Sequence, residues 1–215
     1  MDETNGSEFS KVYLAEVSEI AKGLDINAIE QAVGILAKAR AAKGRLFVLG
    51  VGGSAANASH AVNDMRKIAG IEAYTPSDNV AELTARTNDD GWHSVFDSWL
   101  KTSNLNSKDV ILVLSVGGGD AEKNISANLV HALKYAQDMK AKVIGIVGKS
   151  SGYTAQVADV CIVVPQADPE RITPHSEAFQ AVIWHLFVFH PRLRLIKGKW
   201  GDISANREAK SAKES

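Results

Sequence analysis

Val48-Leu49-Gly50-Val51-Gly52-Gly53-Ser54-Ala55-Ala56-Asn57-Ala58-Ser59-His60, with Asp64 one helical turn further on, is the stretch whose reading decides the fold. Leu46 to Leu49 is an apolar run of strand length, and the Ala-rich segment after Ser54 has helical character. Glycines and a serine turn the chain between them. A strand that passes through Gly-Gly-Ser into a helix leaves unpaired backbone N–H groups at the helix start, where they can cradle an anion. Glycine suits that corner because a side chain would block the ligand or forbid the backbone angles. A tight βα turn without a ligand explains this stretch equally well when it is taken alone.

Working outward, residues 8–22 and 26–42 read as two helices, with Leu14, Val17, Ile20 and Ala21, then Ile29, Val33, Leu36 and Ala37, at helical spacing. Gly23 and Asp25 break them apart, and Asp25 is a natural N-cap. Their apolar faces need cover from the sheet or from a second subunit. Downstream, Ile71 to Tyr74 is a weak strand, Asn79 to Ala85 a short helix, and Asn88-Asp89-Asp90-Gly91 a polar turn. Asp109 to Leu114 is the strongest strand, continuous and β-branched as buried parallel strands are. It runs into Ser115-Val116-Gly117-Gly118-Gly119-Asp120, after which a helix is expected from Ala121 to Met139. Lys142 to Val147 and Val160 to Val164 complete the strands, joined by a helical turn near Tyr153 to Val157. Thr173-Pro174 opens a long last helix, with Thr as N-cap and Pro at the first helical position, and Pro191 closes it. Alternating strands and helices predict one doubly wound parallel sheet of five strands flanked by helices, an α/β fold with ligands beyond the carboxyl ends of the strands. A single domain over residues 1–198 and a polar tail over 199–215 are expected, with Trp200 the exception in a charged stretch.

Composition narrows the function. The 215 residues are 45% hydrophobic and 23% charged, with a formal net charge of −1, which gives no basic surface for nucleic acid or anionic membrane. Cys161 is the only cysteine, so neither an intramolecular disulfide nor a cysteine zinc cluster is possible. Met1 to Ser10 is acidic and polar, unlike a signal sequence, and no apolar run approaches the ~20 residues that span a bilayer. A cytoplasmic address is expected.

Two strand ends carry Gly-rich, serine-bearing loops that feed helices, Gly50–Ser54 and Ser115–Asp120, and the pair can converge on one anion such as a sugar phosphate. His60 and Asp64, at i and i+4, share a helix face, a spacing that zinc accepts and that surface hydrogen-bonded pairs also show. Glu177 and His185 lie eight apart near one face of the last helix with Ala181 between them. His185 stands among Val182, Ile183, Trp184, Leu186 and Phe187, as a satisfied core residue or a functional one.

Gly52 to His60 with Asp64 resembles the opening motif of the phosphoheptose isomerases, SIS-domain proteins that interconvert sedoheptulose 7-phosphate and a heptose 7-phosphate. Leu83 to Asp89 with Phe96 is similar to the family's next block, Leu114-Ser115 lies where the family has its phosphate loop, and Asp159 to Pro165 matches its "ADV…VP" strand. The resemblance covers Ile26 to His190. It implies a SIS-like sheet of flavodoxin-type order and an aldose–ketose isomerase working through a cis-enediol. Asp64 then stands at the general-base position and His185 at the general-acid position. His60, Asp64, Glu177 and His185 stand at the zinc-ligand positions, Glu177 where the family usually has glutamine. Substrate contacts fall to Gly52, Gly53, Ser54, Ser115, Gly117, Gly118, Gly119 and Asp120. Asn88 and Asp89 are candidates for the sugar hydroxyls, although a polar turn explains them as well. A homotetramer with shared active sites is also implied.

The chain departs from that pattern at several points. Asp64 is one methylene shorter than the family's glutamate. Val116, Gly117 and Asp120 replace Thr, Ser and Ser in the phosphate loop. An aspartate facing a phosphate would cost roughly 3 kcal/mol per charge at ~5 Å and an effective dielectric near 20. Either Asp120 turns outward, as a cap on the helix expected at Ala121, or the ligand lacks phosphate there. Arg171 to His185 is also about four residues longer than the usual pattern, so the position of Glu177 rests on counting back from His185. The rival reading is a non-catalytic SIS module that binds a sugar phosphate or a protein partner, favoured by the altered loop and opposed by the four metal-type residues.

Overall fold

The computed structural model describes residues 3–196, in which five strands and eight α-helices alternate. The tail expected beyond Lys197, with Trp200, lies outside the described residues. In chain order the elements are α1 (Glu3–Lys22), α2 (Ile26–Ala41), β1 (Leu46–Gly50), α3 (Gly53–Lys67), β2 (Ala73–Tyr74), α4 (Val80–Asp90) and α5 (Val95–Thr102). Then come β3 (Val110–Ser115), α6 (Ala127–Asp138), β4 (Lys142–Val147), α7 (Tyr153–Val157), β5 (Val160–Val163) and α8 (Ile172–Phe189).

All strand pairs are parallel, in the order β2-β1-β3-β4-β5. Alternate side chains of each strand feed opposite layers. Leu46, Val48, Leu112 and Ile144 pack with α2, α3 and α8, while Phe47, Leu49, Ile111 and Val143 pack with α5 and α6. Burial on both faces explains why the strands read as continuous apolar runs. The strand order reverses between β1 and β3, whose last residues are in register at Gly50 and Leu114. The loop after β1 leads to α3 on one face and the loop after β3 to α6 on the other. They part at that switch point, the place where ligands of such sheets bind.

Asp25 caps α2 as expected, its Oδ1 accepting the N–H groups of Asn27 (2.8 Å) and Ala28 (3.1 Å). The two N-terminal helices find cover in different ways. α2 is part of the core, with Ile29, Val33 and Leu36 buried against the sheet. α1 docks only by its C-terminal half, burying Ile20 and leaving Phe9, Val12 and Leu14 exposed.

Three boundaries differ from the sequence reading. The helix expected from Ala121 begins at Ala127, because Asp120 and Ile125 pair through both backbone bonds and close a tight turn. Asn124 and Ser126 take φ of 54° and 48° in that turn, which no α-helix can absorb. Asn88 and Asp89 lie in the last turn of α4 rather than in a loop, and the chain turns instead at Gly91 with φ 85°. α8 starts at Ile172 after a 3₁₀ turn over Pro169–Arg171, so Thr173 is not its cap. Pro174 is still in the first turn, where its missing N–H costs nothing.

Candidate active site

The two Gly-rich loops lie at the switch point, after β1 and β3. At the end of β1, Gly52 precedes α3 with φ 64°, and the Ala55 and Ala56 amides bond back to its carbonyl. At the end of β3, Gly118 and Gly119 take φ of 76° and 81°, a left-handed pair that residues with side chains rarely adopt. This second loop is stitched down by α7: Tyr153 N–H donates to Gly119 O (2.8 Å), and Thr154 donates both N–H and hydroxyl to Gly118 O.

Each loop holds one buried serine whose hydroxyl accepts a bond from the protein. Ser115 Oγ accepts the Gly118 N–H at 3.0 Å. Ser54 Oγ accepts from Gln180 Nε2 at 3.0 Å. The direction of the second bond follows from its neighbours. Asn57 Nδ2 donates to the Glu177 carbonyl (2.9 Å), which can only accept, and to Gln180 Oε1 (3.0 Å). That leaves the amide nitrogen of Gln180 for Ser54. Both serines therefore keep their own protons for a ligand, beside the free N–H groups of the α3 start.

Gln180, fully buried, was missed in the sequence reading. A polar residue within the apolar stripe Phe179, Ile183, Trp184 and Phe187 was the available signal. Asp120 faces its own turn: Oδ1 accepts the N–H groups of Glu122 (3.0 Å) and Lys123 (2.9 Å). These bonds, Lys123 first, hold its carboxyl below the ordinary aspartate range. Asp120 thus caps a turn where the sequence suggested a helix.

Further along α3, His60, Asp64 and His185 converge, with one ligand atom of each within 4.8 Å of the others. Asp64 Oδ2 lies 3.7 Å from Nε2 of both His60 and His185, and its Oδ1 accepts from Asn63 Nδ2 at 2.8 Å. His185 Nδ1 sits 2.7 Å from the Ala181 carbonyl. The carbonyl demands a proton from Nδ1, so a neutral His185 presents a bare Nε2 to the cluster. The edge of His60 meets the Trp184 ring at 4.6 Å. Two imidazoles and a carboxylate are donors that zinc takes, and the fixed tautomer suits a ligand.

Glu177 does not join the three. Its carboxylate lies over Gly53, with Oε2 2.5 Å from where a Cβ on that glycine would stand. Asn88 and Asp89 are exposed and bond to each other at 2.8 Å.

A second cluster, between α1 and the start of α8, was not read from sequence. Glu16 of α1 accepts from Arg171 Nη2 (2.6 Å) and pairs with the buried His175 (2.8 Å), whose ring stacks on Tyr13 at 4.5 Å. Bonds from Arg171, then His175, pull the Glu16 carboxyl down to about 2. These residues are far apart in the chain, and no local spacing links them.

A parallel sheet of this order, with Gly-rich loops at the switch point and a helical imidazole–carboxylate cluster, defines a class. The chain belongs to the SIS-domain family, whose model, described as the SIS domain, matches residues 12–148. Its relatives include phosphoheptose isomerases. That of Aliarcobacter butzleri is 31% identical over 188 residues, covering 82% of this chain and 94% of the relative. That of Citrifermentans bemidjiense is 30% identical over 192 residues, covering 86% and 93%. The solved structure of a phosphoheptose isomerase from Francisella tularensis shares the fold, with a TM-score of 0.74 at 22% identity over 87% of this chain and 97% of that one.

Proposed function

We propose that this chain is an aldose–ketose isomerase of a phosphorylated sugar, converting sedoheptulose 7-phosphate to a heptose 7-phosphate. The convergence of His60, Asp64 and His185 carries the reading, because an anion-binding module has no use for it. The kinship to phosphoheptose isomerases supports the substrate class. Spacing supports a long sugar. From Gly53 to His60 the α3 axis advances about 10 Å at 1.5 Å per residue, so a ligand that reaches both ends needs several carbons between them.

In this reading Ser54, Ser115, the α3 amides and the Gly117–Gly119 loop hold the phosphate. Asp64 Oδ2 removes the proton from the carbon beside the carbonyl and returns it to the neighbouring carbon of the cis-enediol. His185, protonated at Nε2, gives a proton to the oxygen that gains charge and takes one from the hydroxyl that becomes the carbonyl. His60, Asp64 and His185 would hold zinc, with Glu177 the candidate for a fourth place; a bound zinc would take the position of the His185 Nε2 proton and supply Lewis-acid stabilisation of the developing oxyanion in its stead.

A second copy of the chain completes the site. α4, with Asn88 and Asp89, buries none of its residues, and Val182, Leu186 and Phe189 form an exposed apolar stripe on both sides of His185. These surfaces, with Phe9, Val12 and Leu14 of α1, support the homotetramer. No described helix is long and apolar enough to cross a membrane, and a sugar-phosphate substrate supports a cytoplasmic address.

The test is an assay with sedoheptulose 7-phosphate beside metal analysis of the purified protein. Turnover with about one zinc per chain, both lost in His185→Ala, is expected. A fully folded protein with neither metal nor turnover refutes the proposal.

A further inference from the structure

The Glu177 carboxylate stands at the α3 N-terminus, where the reading above places the phosphate. It rests against Gly53 in the first turn of α3, and among the described residues it makes neither a hydrogen bond nor an ion pair. What favours it there is the positive end of the helix, which favours any anion. A phosphomonoester in the same cradle would meet a like charge at close range.

The backbone at this position does not need to move to relieve that conflict. Asn57 Nδ2 pins the Glu177 carbonyl to α3 at 2.9 Å. Along the α3 axis Gly53 lies about 6 Å from Asn57 in one direction and His60 about 4.5 Å in the other, at 1.5 Å per residue. A glutamate side chain rooted beside Asn57 covers either distance by changing rotamer. In the second direction wait His60, Asp64 and His185, three ligand atoms where tetrahedral zinc takes four.

We infer that Glu177 exchanges between these two places. Without an anion its carboxylate holds the phosphate seat at the α3 N-terminus. When a phosphomonoester arrives, the carboxylate moves to the metal, so anion and metal each tighten the binding of the other. Such coupling is reciprocal by necessity. Glutamine at this position could ligate but carries no charge to displace, so the coupling belongs to the glutamate. The inference rests on the phosphosugar reading above.

The experiment is calorimetric titration of glycerol 3-phosphate, a phosphomonoester with no carbonyl to isomerise, into the full-length protein. Wild type and Glu177→Gln are each measured with a chelator and with saturating zinc, after melting curves establish that both are folded. Zinc should tighten wild-type binding about tenfold or more, the equivalent of ~1.4 kcal/mol. Without zinc, Glu177→Gln should already bind as tightly as zinc-loaded wild type, and zinc should change it less than about twofold. Any direct pull of zinc on the phosphate would survive in the variant, so a zinc effect of equal size in both proteins overturns the exchange. Equal wild-type affinity with and without zinc also overturns it, and needs no variant to do so. Both results leave the phosphosugar reading standing. No binding in any of the four arms overturns that reading and the inference together.

Discussion

Replacing Gln180 with methionine asks whether one buried amide sets the direction of the Ser54 hydroxyl. The amide is fully buried, donates to Ser54 Oγ at 3.0 Å and accepts from Asn57 at 3.0 Å. Methionine is unbranched and similar in volume, so little of the packing against α3 should be lost. Two neutral hydrogen bonds go, at about 1 kcal/mol each. For a chain of this size that is roughly 4–8 °C in melting temperature. The functional effect is separate. With its donor partner gone, Ser54 is free to turn its proton toward a backbone carbonyl instead of the ligand. A hydrogen bond to a charged group is worth about 1.5–3 kcal/mol, so KM for sedoheptulose 7-phosphate should rise at least about tenfold. The chemistry proposed for Asp64 and His185 lies a helical stretch away, so kcat should stay within about threefold. Thermal melting and steady-state kinetics read the two effects. A protein that loses the expected stability yet keeps its KM would show that Ser54 does not hold the ligand.

Two further outcomes follow from the surface and from α1. Leu186→Glu, on the exposed stripe of α8, should reduce the assembly to smaller species by light scattering while far-UV circular dichroism stays unchanged; an intact tetramer would refute the role of that stripe. Deleting residues 8–42 is not a clean substitute, since α2 gives Ile29, Val33 and Leu36 to the core. Glu16 has a folded pKa of about 2 against an ordinary 4.5, so its contribution is present above pH ~4.5 and is lost as pH falls toward 2. Hydrogen exchange of α1 should therefore accelerate across that window in wild type and show no such step in Glu16→Gln, and identical profiles would refute the clamp.

Much of the site was legible because its residues are local in sequence. Gly52 to His60 with Asp64 lies on one turn and one helix, so spacing alone put His60 and Asp64 on a shared face. His185 stood out as an imidazole in an apolar run. Glu177 was reached by counting back along the same helix, but its side chain direction was not, since a rotamer answers to neighbours that the count does not contain. Asp120 shows the same limit. Its tendency to bond nearby amides was readable, but whether it headed a helix or a tight turn depended on the left-handed residues Asn124 and Ser126.

The sequence by itself determined the βα alternation, the two glycine corners, the five strands and the cap at Asp25. Each of these follows from local periodicity, backbone freedom or a side chain bonding its own neighbours. Only the tertiary structure decided that α2 belongs to the core while the first half of α1 stays exposed. It alone brought Gln180 to Ser54 and Glu16 to Arg171 and His175, pairs 126, 155 and 159 residues apart. Buried polar groups need partners, and which partner lies within reach is settled by how helices cross over the sheet, a property that no window of the chain contains.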